Sequence, residues 1–111
     1  MTEPTVLPAF CADCERDLAS MARVGVPEHL RYGIARYVSH GVSPGGFLCA
    51  VIDNNLSRAI GNGDDVSRAA IVEIVGWFYN EAPRGCWGDA KRHKAWNAMR
   101  RAEPKCALVR S

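Results

Sequence analysis

The residues best suited to hold a ligand lie in the middle of the chain, in the run Ser43–Phe47. We expect Gly41 to end one helix in the left-handed conformation, and Ser43 and Pro44 to begin the next. The backbone N–H groups in the first turn of a helix have no partner within that helix, and they attract anions. Because glycine has no side chain, Gly45 and Gly46 let a phosphate or carboxylate approach these amides. The sequence therefore predicts an anion site at this corner.

Side chains elsewhere in the central part of the chain could pair with the anion or stack on an attached base. Arginine pairs with phosphate, and aromatic rings stack on nucleobases, so the combination is typical of a nucleotide-type ligand. The predicted ligand-binding residues are Ser43, Gly45, Gly46, Arg36, His40, Arg58, Tyr37 and Tyr79. The alternative is structural, because glycines also allow close helix packing and aromatic side chains also fill cores.

Two other patterns bear on metal binding and catalysis. Cys11 and Cys14 have half of the spacing of a zinc site, but no second Cys or His pair completes it. We therefore predict no metal ion and treat the two thiols only as weak candidate ligands. His29, His40 and His93 accompany several serines and aspartates, yet no serine-hydrolase elbow, zinc-protease motif or phosphate-binding lysine loop is present. We predict that the protein is not an enzyme and has no cofactor.

Positive charge is concentrated near the C-terminus. Residues 89–111 contain seven Lys or Arg against two acids, a balance of +5, whereas the whole chain of 111 residues carries +2. A basic helix on a slightly acidic body is typical of a protein that binds nucleic acid, and the alternative is a solvated helix whose charges favour solubility. The residues that would contact phosphates are Lys91, Arg92, Lys94, Arg100 and Arg101.

Helices must position all of these residues, because the apolar residues recur at helical spacing and no strand-like alternation occurs. The spacing predicts helices from Asp13 to before Gly25, Pro27 to Gly41, Pro44 to Ile60, Val66 to Glu81, and Asp89 to Pro104. Asp64 or Asp65 is expected to cap the fourth helix, and Asp89 the fifth. We predict an all-α fold, a compact bundle of four to five short helices in a single domain. Residues 13–103 form this domain, residues 1–12 a flexible segment, and residues 104–111 a basic tail.

Composition narrows the class of protein. The chain is 48% hydrophobic and 23% charged, which is ordinary for a globular protein. It has five cysteines, an odd number, so reduced thiols are expected. There is no long apolar stretch and no signal-peptide pattern, so we expect a cytoplasmic protein without a membrane span. The fourth helix is apolar over most of its circumference, which favours either a central position or a homo-oligomer interface.

The middle of the chain resembles a group of small proteins that tailed phages and prophages encode. The matching residues are Pro27–Leu30, Gly33–Val38, His40–Leu48, Ala50–Val51, Asn55–Leu56, Ile74–Pro83 and Cys86–Gly88. The segment with Cys11 and the basic C-terminus depart from the usual form of this group. The resemblance implies a phage accessory protein in the cytoplasm of an infected bacterium, and it carries over no catalytic residues.

In that setting we expect a small helical binding protein that antagonises bacterial host defence. It would sequester a nucleotide or cyclic nucleotide signal, or bind a host defence protein. One alternative is a phage regulator that binds nucleic acid through the basic C-terminal helix. Another is a purely structural or assembly protein that acts through protein contacts.

Overall fold

The fold is built from helices. The computed structural model describes residues 12–103, and this range contains no strand. Its helices are α1 (Ala12–Val24), α2 (Glu28–His40), α3 (Gly46–Ile52), α4 (Leu56–Asn62), α5 (Asp65–Ala69), α6 (Ile71–Asn80) and α7 (Ala90–Ala102). The predicted all-α fold is confirmed. The predicted basic tail, 104–111, and residues 1–11 of the predicted N-terminal segment lie outside the described residues.

The predicted helix from Pro44 to Ile60 is two helices in the structure. α3 ends at Ile52, Asn54 takes a left-handed φ of 61°, and α4 begins at Leu56. The side chain of Asn55 accepts a hydrogen bond from the backbone N–H of Arg58, 3.1 Å away, and so caps α4. Asparagine tolerates left-handed backbone and is a strong N-cap, so this pair ends one helix and begins another. Apolar spacing alone does not reveal the break.

The predicted helix from Val66 to Glu81 is also divided. α5 ends at Ala69, and Ala70, with φ −98° and ψ 9°, separates it from α6. Asp64 is the residue that caps α5, because its carboxylate accepts from the backbone N–H of Ser67 at 2.7 Å. The division turns Val66 and Val72 toward solvent, where they are 59% and 78% exposed. The segment is therefore not buried all round.

The core lies where α2 packs against α1 and α7 while α1 packs against α6. Its largest fully buried side chains are Trp77, Tyr37, Phe78, Met21, Ile34, Ile52 and Ile74. The indole N–H of Trp77 donates to Ser20 Oγ at 2.7 Å, so this ring is buried without an unpaired donor. No helix in the described part of the chain is both long and apolar enough to cross a membrane.

α7 is held against the C-terminal end of α2. Asp89 caps α7 as predicted, accepting from the backbone N–H of Arg92 at 2.7 Å. Gly41 ends α2 with φ 71°, and a Cβ placed there would lie only 2.7 Å from the carbonyl oxygen of Asn97. Arg100 Nε and Arg101 Nε donate to backbone carbonyls at the end of α2, at 3.1 and 3.3 Å. These contacts fix where the side chains of α7 stand relative to the turn between α2 and α3.

Candidate functional site

The structure distributes the predicted anion-site residues over separate surfaces. Ser43 lies in a depression between α3 and α7, whereas Gly45 and Gly46 line a second depression beside α5. Tyr79 lines a third, beside the loop that precedes α7. Gly45, and not Ser43, is the residue that precedes α3, and it makes no side-chain cap. The eight predicted residues therefore do not form one site.

The remaining members of that set are engaged in contacts within the fold. Tyr37 is fully buried and its hydroxyl donates to the carbonyl of Cys86 at 2.6 Å, so its ring has no face for a base. His40 is also buried. Arg58 forms an ion pair with Asp53 at 3.1 Å, and the Arg36 guanidinium lies 5.8 Å from the ring centre of Tyr32.

The basic helix α7 uses part of its charge internally. Arg100 lies 4.8 Å above the ring of Trp96 in addition to its bond to α2, and Arg101 also bonds α2. Arg92 pairs with Asp89 at 3.2 Å. Lys91 and Lys94 are exposed. The five predicted phosphate-contacting residues therefore differ in their availability to a ligand, because Arg100 and Arg101 bond to α2 within the fold.

Of the two weak candidate metal ligands, Cys14 lies in the described part of the chain. Cys14 is buried with its Sγ 2.9 Å from Ser39 Oγ, and Cys11 lies outside the described residues. Within residues 12–103, no group of three or more His, Cys, Asp or Glu side chains could hold a metal ion.

The third depression has a volume of about 500 Å³ and combines aromatic rings with arginines. We call it the aromatic–arginine surface and define it by Tyr79, Arg84, Trp87 and Arg92. Tyr79 is 78% exposed, and Arg84 and Arg92 are exposed as well. Such a set offers flat faces for a base and guanidinium groups for phosphate.

The loop between α6 and α7 gives this surface its shape. Gly85 and Gly88 adopt φ values of 84° and 124°, which side-chain-bearing residues rarely take. The N–H of Gly88 donates to the carbonyl of Ile52 at 2.8 Å, which holds the loop against the end of α3. Trp87 is half-buried and packs against Phe78, with 5.9 Å between ring centres. The indole is therefore fixed while one part of it remains exposed.

Sequence reasoning missed Arg84 and Trp87 as ligand-binding residues. A signal was present, because both follow Tyr79 within eight residues in a segment punctuated by Pro83 and Gly85. The combination of arginine and tryptophan in one short loop is informative once the loop is known to lie beside an exposed tyrosine.

The first depression contains a chain of hydrogen-bonded polar side chains. Asp53 Oδ1 is 2.6 Å from His93 Nδ1, and His93 Nε2 is 3.2 Å from Ser43 Oγ. A carboxylate only accepts hydrogen bonds, so the neutral form of His93 carries its hydrogen on Nδ1 and offers the Nε2 lone pair to the Ser43 hydroxyl. Asn97 Nδ2 donates to Ser43 Oγ at 2.9 Å. We call this arrangement the Ser43–His93–Asp53 chain.

The surroundings of this chain fix its two inner members. The side chains of His93 and Asp53 are only 11% and 13% exposed, whereas Ser43 is exposed. The Tyr37 ring meets the His93 ring edge-on with 5.2 Å between centres. Arg58 donates to the second oxygen of Asp53 at 3.1 Å. Sequence motifs missed the chain because its members lie 40 and 50 residues apart and come from different elements.

Three other titratable groups respond to their local environment. The hydrogen bond from the Ser67 N–H holds the pKa of Asp64 below its ordinary value. Burial raises the pKa of the Cys86 thiol to about 12. Burial, with a further contribution from the charge of Asp53, also raises the pKa of Cys49.

No family model, curated protein or solved structure matches this chain. The structure is that of a small all-α protein with an aromatic–arginine surface and a separate polar depression.

Proposed function

We propose that this protein is a phage-encoded binding protein that counters bacterial host defence by sequestering a nucleotide-type signal on the aromatic–arginine surface. The observation that carries the proposal is the presence of three aromatic rings, including those of Tyr79 and Trp87, and two arginines in one depression of about 500 Å³. Ligand sites in proteins generally have volumes of about 300 to 1,000 Å³. A nucleotide would place its base on Tyr79 or Trp87 and its phosphate beside Arg84 or Arg92.

The phage setting is supported by the resemblance described above. Tyr79 and Trp87 belong to two of the stretches that carry it, Ile74–Pro83 and Cys86–Gly88. Arg84 falls between these stretches, and Arg92 follows them. The two aromatic residues of the proposed site therefore belong to the stretches that carry the resemblance, and the two arginines lie outside these stretches.

We also propose that the protein forms homo-oligomers. Several large apolar side chains on α4, α5 and α6 are exposed, and such residues favour contact with another protein surface. They are Leu56 at 61%, Ile60 at 48%, Val66 at 59% and Val72 at 78% exposed. Sedimentation velocity at several protein concentrations measures the association state. A monomer at all concentrations would contradict this part of the proposal.

Thermal unfolding with a panel of mononucleotides and cyclic nucleotides tests the ligand. A ligand present at 100 times its dissociation constant is expected to add about 2.7 kcal/mol to the free energy of unfolding. Tyr79→Ala is expected to lower the affinity by about 1 to 3 kcal/mol, the usual contribution of one stacked base. Arg84→Ala is expected to weaken the binding of phosphate-bearing ligands more than the binding of the corresponding nucleosides.

Two substitutions outside the aromatic–arginine surface serve as matched controls. Tyr32→Ala removes an exposed tyrosine on α2, and Arg23→Ala removes an exposed arginine on α1. Both should retain the ligand-dependent gain of the wild-type protein. The proposal fails if no nucleotide raises the unfolding temperature, or if Tyr79→Ala and Arg84→Ala keep the full gain.

A further inference from the structure

The Ser43–His93–Asp53 chain lies on a different surface from the proposed nucleotide site and has a chemistry of its own. A serine, a histidine and an aspartate are linked in order by contacts of 3.2 and 2.6 Å. These distances fall in the range found between a nucleophile, its general base and the group that orients the base. The outer member is exposed and the two inner members are nearly buried, so a molecule in solvent can reach Ser43.

We propose that Ser43 is an activated nucleophile that cleaves small acyl esters, with His93 as its general base and Asp53 as a positioning residue. The inference goes beyond sequestration, which requires no covalent chemistry. It rests on the hydrogen order derived above, because only the Nδ1–H form of His93 leaves Nε2 able to take the Ser43 proton.

Two neighbouring side chains carry donors for negative charge on the substrate: the Lys94 ammonium and the hydrogen of Asn97 Nδ2 that is not donated to Ser43. Asn97 Nδ2 is 2.9 Å from Ser43 Oγ, and Lys94 lines the same depression. An amide N–H and an ammonium group are suitable partners for the oxyanion that forms when a hydroxyl adds to a carbonyl. The depression has a volume of about 190 Å³, which is enough for a small acyl group.

The reaction proceeds in two balanced halves. Ser43 Oγ forms a bond to the ester carbonyl carbon while its proton passes to His93 Nε2. The carbon–oxygen bond to the alcohol then breaks, and the alcohol leaves with the proton from His93. Water adds to the acyl-serine by the same route, giving its proton to His93. The bond between the acyl carbon and Ser43 Oγ then breaks, Ser43 takes back the proton from His93 Nε2, and the carboxylic acid departs.

Labelling with a fluorophosphonate probe, read by intact and peptide mass spectrometry, tests the nucleophile. The wild-type protein is expected to gain one adduct, on Ser43, and Ser43→Ala to gain none. Ser57→Ala, which removes an exposed serine on α4, is the matched control and should be labelled at the wild-type rate. His93→Gln is expected to slow labelling by about 100-fold or more, the usual effect of a general base.

Hydrolysis of nitrophenyl acetate separates the role of Asp53 from a purely structural one. Asp53→Asn lets an amide donate to Nδ1 and favours the wrong tautomer of His93, so kcat should fall by about 10,000-fold with KM unchanged. Circular dichroism and thermal unfolding confirm that each variant is folded.

Absence of an adduct on folded wild-type protein overturns the proposal, as does equal labelling of Ser43→Ala. A fall in activity for Asp53→Asn that appears only as a raised KM overturns the role of Asp53. Because Ser43 and Tyr79 lie in different depressions, failure here leaves the nucleotide-binding experiments unaffected.

Discussion

Tyr37 donates its phenol hydrogen to the backbone carbonyl oxygen of Cys86, 2.6 Å away and 49 residues further along the chain. Both residues are fully buried. Cys86 lies between Arg84 and Trp87 in the sequence, so a hydrogen bond in the core fixes the loop that shapes the aromatic–arginine surface. The Tyr37 hydroxyl therefore connects α2 to the loop that forms the proposed ligand site.

Replacing Tyr37 with phenylalanine should weaken both the fold and the site. The substitution leaves the Cys86 carbonyl without its partner, and an unsatisfied buried acceptor costs about 1 to 3 kcal/mol. Urea unfolding measures the loss. Tyr79→Phe, at a residue that is 78% exposed, is the control and should change the free energy of unfolding by less than about 0.5 kcal/mol. Equal losses in the two variants would contradict this account.

Gly41 and Gly61 should respond to alanine in opposite directions. At Gly41 the φ of 71° and the 2.7 Å approach to the Asn97 carbonyl both oppose a Cβ, so Gly41→Ala should lose at least about 2 kcal/mol. Gly61 lies inside α4 with no atom within 4 Å of an added Cβ, so Gly61→Ala should gain up to about 1 kcal/mol. Chemical denaturation of both variants measures the difference, and a tolerated Gly41→Ala would show that α7 does not pack closely on this turn.

Acid should weaken the cap of α5. The pKa of Asp64 is lower in the folded protein than in the unfolded chain, so this carboxylate stabilises the fold above the unfolded pKa, about 4. That stabilisation is lost as the pH falls through the folded pKa. Asp64→Asn keeps an accepting oxygen that does not titrate, so its unfolding temperature should fall less steeply than that of the wild type below about pH 4.

The control for this effect is Glu15→Gln, which neutralises an exposed carboxyl on α1. Its profile of unfolding temperature against pH should keep the wild-type slope. If Asp64→Asn also keeps that slope, the cap does not contribute to acid unfolding.

The thiol of Cys86 should resist alkylation in the folded protein. Its pKa is raised to about 12 by burial, so at about pH 8 roughly one thiol in 10,000 is ionised, and only the thiolate reacts. Pulse labelling with iodoacetamide and peptide mass spectrometry should show modification of Cys86 only after denaturation. Modification of the native protein at the rate of the guanidinium-unfolded chain would show that the loop opens readily.

Local signals were sufficient for much of the fold. The stop at Gly41 and the caps at Asp64 and Asp89 depend on backbone geometry and on hydrogen bonds within a few residues, and each lies where the sequence predicts it. The break at Asn54 and Asn55 is also local. It was missed because the apolar spacing continues across the asparagines as though one helix continued.

The sites depend on contacts that no local pattern contains. Ser43, Asp53 and His93 come from a turn, the end of α3 and the first turn of α7, and they meet only when α7 packs on α2. Tyr37 is the opposite case, because the sequence predicts a ligand-binding role for a residue that the structure buries. Its ring type favours stacking on a ligand, but its full burial and its hydrogen bond to the Cys86 carbonyl assign it to the core.

The bonds from Arg100 and Arg101 to the end of α2 have a consequence for synthesis of the protein. They join residues that lie 62 and 60 positions apart. Almost all of the described chain must therefore be synthesised before the carbonyls of Val38 and Gly41 can accept these two bonds. On the ribosome, α1 and α2 can form early. The C-terminal end of α2 gains these two bonds only after α7 has emerged. A chain that ended before Arg100 would lack both of these bonds, and α2 would be held to α7 less firmly at this end.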